Sequence, residues 1–187
     1  MADLTIALAG NPNAGKTTLF NALTGLRQHT GNWPGKTVEK KEGEIEHNSL
    51  TISIVDLPGT YSLTAYSPEE IIARDYIIEE RPDVVINVVD ATNLERNLYL
   101  TVQILELDVP VVLALNMMDD LQNDGGQIDV DRFSRLLGGV PVVGTTANKG
   151  RGISELVEMA VQTANRTQKP YGDDIAASPD LRTAAEV

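Results

Sequence analysis

One stretch near the start of the chain has the composition of a phosphate-binding loop. It fits G-x-x-x-x-G-K-[ST], with an apolar run before it and an amphipathic run after it. Gly10 and Gly15 leave backbone N–H groups free to surround a polyanion, and Lys16 adds a positive charge at the β- and γ-phosphates. The hydroxyl of Thr17 suits Mg²⁺, and the following helix points its positive end at the phosphates. The predicted phosphate-binding residues are Gly10, Asn11, Pro12, Asn13, Ala14, Gly15, Lys16, Thr17 and Thr18. A glycine-rich turn with an exposed lysine is the poorer alternative.

A second polar segment, the N-x-x-D of residues 116–119, follows an apolar strand. Guanine presents two adjacent donors that one carboxylate accepts together, whereas adenine has no such pair. Asp119 is therefore predicted to select guanine, while Asn116 holds the phosphate loop and Met117 covers the base. The guanine carbonyl is expected to meet the backbone of Thr145, Thr146 and Ala147. A capping turn is the alternative, because N-x-x-D alone is a weak signal.

Asp56 and Gly59 lie in a D-x-x-G segment at the end of another strand pattern. Asp56 is predicted to reach Mg²⁺, and the Gly59 N–H to meet a γ-phosphate, although D-L-P-G is also simply a good turn. The loop from Leu26 to Lys36 is long enough to move. Thr37 directly after it, beside Gly35 and Lys36, is predicted to complete the Mg²⁺ shell when a γ-phosphate is present. Such segments order and relax with the state of the nucleotide.

The elements that must position these residues alternate between strand-like and helix-like patterns. Such repeated units predict an α/β fold with a mostly parallel, six-stranded sheet, helices on both faces, and ligands at the carboxyl ends of the strands. A charged strand over Thr37–Glu46 is expected at the edge, in an antiparallel hairpin with Ser49–Val55. Helices are predicted to Gly25, over Ser67–Glu80, over Asn93–Leu107 with Leu94, Leu98, Val102 and Leu105 on one face, over Asp129–Leu137, and from Ile153.

Length and composition predict a single domain over residues 1–166, with 167–187 as a tail or the start of a following helical domain. The 187 residues carry 15 Lys and Arg against 27 Asp and Glu, a formal charge of −12, which disfavours nucleic acid and anionic membranes as direct partners. Cysteine is absent, which fits a reduced, cytoplasmic setting. We see no stretch apolar enough to insert into a membrane and expect a soluble chain.

Four segments together resemble the G domain of FeoB, the prokaryotic ferrous-iron transport protein B. They are Gly10–Thr18, the G-N-W-P-G of residues 31–35 with Thr37–Gly43, Asp56–Leu63, and Asp90–Leu98. The resemblance covers about Leu4 to Thr163 and implies a Ras-like P-loop GTPase that binds GTP and GDP. It also implies helical and membrane domains that move Fe²⁺, at the cytoplasmic face of the membrane. Neither domain is present here, so we expect a piece of a longer protein. The sequence leaves open whether the chain forms an oligomer.

The resemblance further implies K⁺ as an activator bound by Asn13, whose alternative role is to shape the loop. Lys16, Asn13, Thr37 and Gly59 are then the catalytic candidates. Thr60 stands where many small GTPases carry a water-positioning glutamine, so slow intrinsic turnover is expected. A GTPase switch for iron uptake is the first hypothesis, and a binding module with negligible hydrolysis is the second. An RNA-linked GTPase, the third, is opposed by the acidic charge.

Three other features are predicted to be ordinary. His29 and His47 are expected to be solvated rather than iron ligands, and so are the acidic residues of the charged strand, Glu39, Glu42, Glu44 and Glu46. Trp33 is either a docking anchor or a residue packed beneath its loop. Lys36, where the resembled family usually has valine, is expected to lie in solvent.

Overall fold

The computed structural model describes residues 2–64 and 66–166, so the predicted tail lies outside the described part. Within it, seven strands form one sheet: β1 (Leu4–Gly10), β2 (Gln28–Asn32), β3 (Glu39–His47), β4 (Leu50–Asp56), β5 (Val84–Asp90), β6 (Val111–Asn116) and β7 (Val142–Gly144). Their order is β2-β3-β4-β1-β5-β6-β7. The five strands from β4 to β7 in this order pair in parallel, while β2 and β3 are antiparallel to their neighbours. The mainly parallel α/β sheet is therefore confirmed.

The predicted helices are present, with their ends displaced by a few residues. The helices are α1 (Lys16–Thr24), α2 (Pro68–Asp75), α3 (Leu94–Leu105), α4 (Met118–Asn123), α5 (Val130–Leu136) and α6 (Ile153–Ala164). A π-helical segment, Tyr76–Glu80, extends α2, and a 3₁₀ turn covers Ala147–Lys149. The start of α2 is a capping box, in which the Ser67 hydroxyl accepts from the Glu70 N–H and the Glu70 carboxylate accepts from the Ser67 N–H. Only α4 was not predicted, because its six residues are too few to show a period.

The six-strand prediction is wrong by one strand, because β2 lies inside the segment that we expected to be a loop. Its side chains are all exposed, so its sequence shows no alternation between apolar and polar residues. Only backbone pairing with β3 makes it a strand, from Gln28 opposite Gly43 to Asn32 opposite Glu39. The charged strand is consequently not an edge strand, since β2 covers its outer side. Strands held by main-chain bonds alone leave little trace in a sequence.

Helices cover both faces of the sheet, as predicted. One buried cluster packs α1 and α6 against the sheet, and the other packs α2, α3 and α5 against the opposite face. The predicted face of α3 is partly wrong, because Val102 is only half-buried while Thr101 is fully buried. The Asn87 amide of β5 donates to the Thr101 hydroxyl at 2.7 Å, which lets a polar residue face the core. The residues of α3 that face the core are therefore not the same set as its apolar residues.

Three parallel strands end beside one another at the residues that the sequence predicts to be functional. β1 ends at Gly10, β4 at Asp56 and β6 at Asn116. Because β1 lies between β4 and β5, and β5 pairs with β6, these strand ends share one edge of the sheet. Gly10 is needed there, since a Cβ on it would lie 2.7 Å from the Val88 carbonyl oxygen of β5.

Candidate functional site

The loop between β1 and α1 surrounds a cavity of about 550 Å³. Asn13 and Gly15 both have positive φ angles, 68° and 87°, so the chain turns sharply twice before α1 begins. The first residues of α1, Lys16, Thr17 and Thr18, line the cavity, so the helix end that favours anions adjoins it. The lining residues are Asn11, Pro12, Asn13, Gly15, Lys16, Thr17, Thr18, Gly59 and Met117. The structure therefore brings seven of the nine predicted phosphate-loop residues together with Gly59 and Met117, while Gly10 and Ala14 do not line the cavity.

A buried ion pair joins Lys16, which lines this cavity, to Asp56 at the end of β4. The Lys16 ammonium contacts an Asp56 carboxylate oxygen, and both side chains are buried. Burial raises the pKa of Asp56, and the adjacent Lys16 charge opposes that rise. A buried lysine whose only ionic partner in residues 2–64 and 66–166 is one carboxylate has further N–H donors for a phosphate. Lys16 can therefore contact phosphate oxygens, and Asp56 beside it can contact a metal ion.

The side chain of Asn116 connects three parts of the site. Its Nδ2 donates to the Ala14 carbonyl oxygen at 3.0 Å, which fixes the phosphate loop to the end of β6. Its Oδ1 accepts from the Thr145 hydroxyl at 3.2 Å and from the Ala147 N–H at 3.1 Å. The predicted tie between Asn116 and the phosphate loop is confirmed. Gly15 must lack a side chain here, because a Cβ on it would lie 2.2 Å from this amide nitrogen.

Asp119 lies one turn beyond Asn116, in the first turn of α4. Its carboxylate forms an ion pair of 2.7 Å with the Lys149 ammonium, and its side chain is 13% exposed. The hydrogen bond from Lys149 holds the pKa of Asp119 below its usual value, so the carboxylate is ionised. Met117 has a left-handed backbone (φ 63°) and its side chain lies close to Gly15. An ionised carboxylate beside an apolar side chain suits a flat base that carries two adjacent donors.

The family model described as "Ferrous iron transport protein B" matches residues 4–160 of this chain. The chain belongs to the FeoB family. It is 53% identical over 169 residues to the Fe(2+) transporter FeoB of Salmonella typhimurium, covering 88% of this chain and 22% of that protein. The curated FeoB relatives reported with it are likewise spanned over only 19% to 22% of their length.

Solved FeoB structures have the same fold. The cytosolic domain of the T. maritima FeoB iron transporter in GDP form has a TM-score of 0.86 at 46% identity, covering 90% of this chain and 66% of that one. The FeoB G domain from Methanococcus jannaschii has a TM-score of 0.78 at 51% identity, covering 89% of this chain and all of that one. The resemblance inferred from the four sequence segments is therefore confirmed, and the fold is that of a FeoB G domain.

The FeoB-family segment with Gly35, Lys36 and Thr37 is not brought to the phosphate cavity. These residues are exposed and do not line it. Pro34 and Gly35 form a tight turn, in which the Lys36 N–H donates to the Trp33 carbonyl oxygen at 3.0 Å and Gly35 has a φ of 67°. Contact between Thr37 and a metal ion stays a prediction, which needs this exposed segment to move.

Trp33, at the start of that turn, is 8% exposed and packs against the core. Its ring meets Tyr76 edge-on at 5.5 Å between centroids, and the Lys40 ammonium lies 5.1 Å from its centroid. Burial raises the pKa of Tyr76 to about 12, so its phenol stays neutral in this contact. Of the two predicted roles of Trp33, the structure favours packing beneath the loop.

The prediction for the two histidines is only half right. His29 is exposed, whereas His47 is hydrogen-bonded to the Glu158 carboxylate of α6 at 2.9 Å. His47 is the last residue of β3 and bonds to a helix 111 positions further along the chain, a long-range contact that the sequence does not reveal. Among residues 2–64 and 66–166, no group of three or more His, Cys, Asp or Glu could hold a metal ion. No helix of that part of the chain is long and apolar enough to span a bilayer.

Two residues, Arg96 and Lys149, make contacts at the site that were not predicted from sequence. The Asn11 amide donates to the Arg96 carbonyl oxygen at 3.0 Å, and the Arg96 guanidinium stacks on Tyr61 at 4.3 Å from the ring centroid. Arg96 thus links the phosphate loop to the segment after Gly59. Lys149, the second such residue, forms the ion pair with Asp119. Arg96 lies in the Asp90–Leu98 segment that carries the family resemblance, but nothing in the sequence near Lys149 marks it.

The donor set at the cavity fits the metal ions that the family implies. The Thr17 hydroxyl and the Asp56 carboxylate are hard oxygen donors, of the kind that Mg²⁺ takes together with phosphates and water. Asn13 lines the same cavity, and its side chain offers an amide oxygen, a suitable donor for K⁺. Thr17 and Asn13 line the cavity and Asp56 contacts the cavity residue Lys16, so the residues fit both ions by their chemistry.

Proposed function

We propose that this FeoB-family G domain binds GTP and GDP and hydrolyses GTP to GDP and phosphate. The observation that carries the proposal is the Asn116 bridge, with Asp119 beside it. One side chain joins the phosphate loop to the turn over Thr145 and Ala147, so the two ends of a nucleotide would be bound by parts held at a fixed separation. FeoB cytosolic domains solved in GDP and GMPPNP forms support the guanine nucleotide as ligand.

The phosphate end would be held by the N–H groups of the loop and by Lys16. When the β- and γ-phosphates arrive, the Lys16 ammonium exchanges part of its contact with Asp56 for phosphate oxygens. Asp56 is then available with Thr17 to hold Mg²⁺, which neutralises the negative charge of the phosphates when it is bound. The Gly59 N–H lines the cavity and would donate to the γ-phosphate. Asn13, which lines the same cavity, would bind K⁺ through its side-chain amide oxygen.

The base would lie between Met117 and the 145–147 turn. Asp119 accepts the two adjacent guanine donors, and the Ala147 region donates to the guanine carbonyl. Adenine presents no pair of donors to Asp119, so the ionised carboxylate would be left unpaired and ATP binding would be disfavoured.

One observation favours a second candidate, a module that responds to nucleotide occupancy with negligible hydrolysis. Thr60 is 5% exposed, and its hydroxyl donates to the Ser62 carbonyl oxygen at 2.7 Å. The side chain that follows Gly59 is therefore turned away from the cavity and does not orient a water molecule in this arrangement. This geometry supports slow intrinsic turnover, which the occupancy module requires.

In the longer proteins of the family, the domain would control Fe²⁺ uptake from the cytoplasmic face of the membrane. Its partners would be the helical and membrane domains of a FeoB transporter. The family match and the curated Fe(2+) transporter relatives support this role.

The test is to measure GTP turnover with Mg²⁺ in KCl and again in NaCl, with ATP as the control nucleotide. K⁺-dependent GTP cleavage that falls in an Asn13→Ala variant supports the hydrolase. Tight GDP and GTP binding with equal, barely detectable turnover in both salts favours the occupancy module. Equal binding of ATP and GTP contradicts the role of Asp119 and with it the guanine assignment.

A further inference from the structure

The ion pair between Lys149 and Asp119 places a cation on the carboxylate that is proposed to bind the base. The Lys149 Nζ lies 2.7 Å from one Asp119 oxygen. The lysine side chain is half exposed and the carboxylate side chain is 13% exposed, so the lysine can leave for solvent more easily than the carboxylate can. The contact therefore depends on which position Lys149 takes.

The position of Lys149 is set by the turn that carries it. The Lys149 N–H donates to the Thr146 carbonyl oxygen at 3.0 Å, and the Gly150 N–H donates to that of Ala147 at 3.2 Å. The Ala147 N–H is itself bonded to Asn116. The turn is thus anchored to the end of β6, and Asp119 lies in the first turn of α4, which follows the same strand. Lys149 reaches Asp119 from the turn that would also contact the guanine carbonyl.

A base and the Lys149 ammonium compete for this carboxylate. Guanine offers two donors side by side, which need both carboxylate oxygens in one plane, and the Lys149 ammonium takes an acceptor site on one of these two oxygens and weakens it as an acceptor for the base. When a base leaves, a carboxylate without Lys149 would keep only the backbone hydrogen bonds from Asp119 and Asp120 and contact with water. With Lys149 present, an ion pair replaces the lost hydrogen bonds.

We infer that Lys149 is an internal competitor of the guanine base: it takes Asp119 as the base leaves and so accelerates the release of guanine nucleotide. The inference rests on the proposed guanine binding and adds to it a residue that regulates the lifetime of the bound state. Lys149 acts through Asp119 and is a positioning residue rather than a direct nucleotide contact. Half-exposed ion pairs have modest strength, so the expected effect on release is about threefold to fivefold.

The test compares Lys149→Met with a matched control, Arg151→Met. Arg151 is an exposed cation two positions away, and its contacts to Thr146 are made by its backbone. Each variant removes one positive charge from the same segment, so long-range attraction of the anionic nucleotide falls about equally in both. Release is measured by stopped-flow fluorescence after chasing bound mant-GDP with excess GDP, in Mg²⁺ and low NaCl.

We expect Lys149→Met to slow mant-GDP release about threefold to fivefold relative to Arg151→Met, and Lys149→Arg to restore fast release. High NaCl should slow release from the unmodified chain and leave Lys149→Met unchanged, because salt screens the ion pair. A Lys149→Gln variant replaces Lys149→Met if the latter does not fold, as judged by circular dichroism.

Two results would overturn the inference, and they are distinguishable. Binding of mant-GDP but not mant-ADP, with release from Lys149→Met as fast as from Arg151→Met or faster, rejects the role of Lys149 and leaves the proposed function standing. Absence of mant-GDP binding by the unmodified chain rejects both together.

Discussion

Replacing Asn116 by alanine should destabilise the protein more than replacing any comparable buried asparagine. Asn116 makes three hydrogen bonds, to Ala14, Thr145 and Ala147, at 3.0 to 3.2 Å. Asn87, on the adjacent strand β5, is equally buried, and its amide donates one hydrogen bond, to Thr101. Both substitutions remove the same atoms, so the cost of the cavity is shared and the difference reports hydrogen bonds.

At about 1 kcal/mol net for each bond, Asn116→Ala should lower the free energy of unfolding by about 2 kcal/mol more than Asn87→Ala. Asn116→Asp should fall between the unmodified chain and Asn116→Ala, because a carboxylate still accepts from Thr145 and Ala147 but cannot donate to Ala14. Urea unfolding without nucleotide, followed by circular dichroism, measures these differences directly.

Nucleotide binding supplies the second readout of the same variants. Asn116→Ala should weaken mant-GDP binding by at least about tenfold, since the phosphate loop and the base turn lose their common anchor. Asn87→Ala should change binding by less than about twofold, because its hydrogen bond joins β5 to α3, away from the cavity. Equal destabilisation by the two alanine variants, or equal loss of binding, would refute the conclusion that Asn116 holds the site together.

Three further predictions concern other contacts. Gly10→Ala should cost about 1–3 kcal/mol in thermal unfolding, because its Cβ would meet the Val88 carbonyl oxygen at 2.7 Å, whereas Gly31→Ala, with open space around it, should be nearly neutral. Lys16→Met should raise the pKa of Asp56 further, because it removes the charge that stabilises the ionised carboxylate. The variant's loss in free energy of unfolding should therefore be largest near neutral pH and shrink as Asp56 becomes protonated in acid. A loss independent of pH in urea titrations would contradict this. His47→Ala should raise the pKa of Glu158 toward its usual value, since the hydrogen bond with His47 is the main cause of its lowered pKa, and an unchanged carboxyl titration by NMR would argue against that pairing.

Features that depend on neighbouring residues could be predicted well. The phosphate loop, the serine cap of α2 and the apolar strands each need particular residue types within a few positions, and all are present where expected. The features that failed have a different origin. β2 has no apolar side to reveal it, and the buried stripe of α3 includes Thr101 only because Asn87 of another strand is there to bond it.

The amino-acid sequence by itself determined the chemical groups of the site and the elements that carry them. Asp56 and Asn116 end strands, and Lys16 and Asp119 lie in the first turns of helices, because glycine, proline and apolar spacing decide where each element starts and stops. Only the tertiary structure decided which of these groups meet. Asn116 reaches Ala14, and Lys149 reaches Asp119, through the parallel order of β1, β5, β6 and β7. Such contacts depend on strand order and register, which result from the packing of the whole sheet rather than from any one segment.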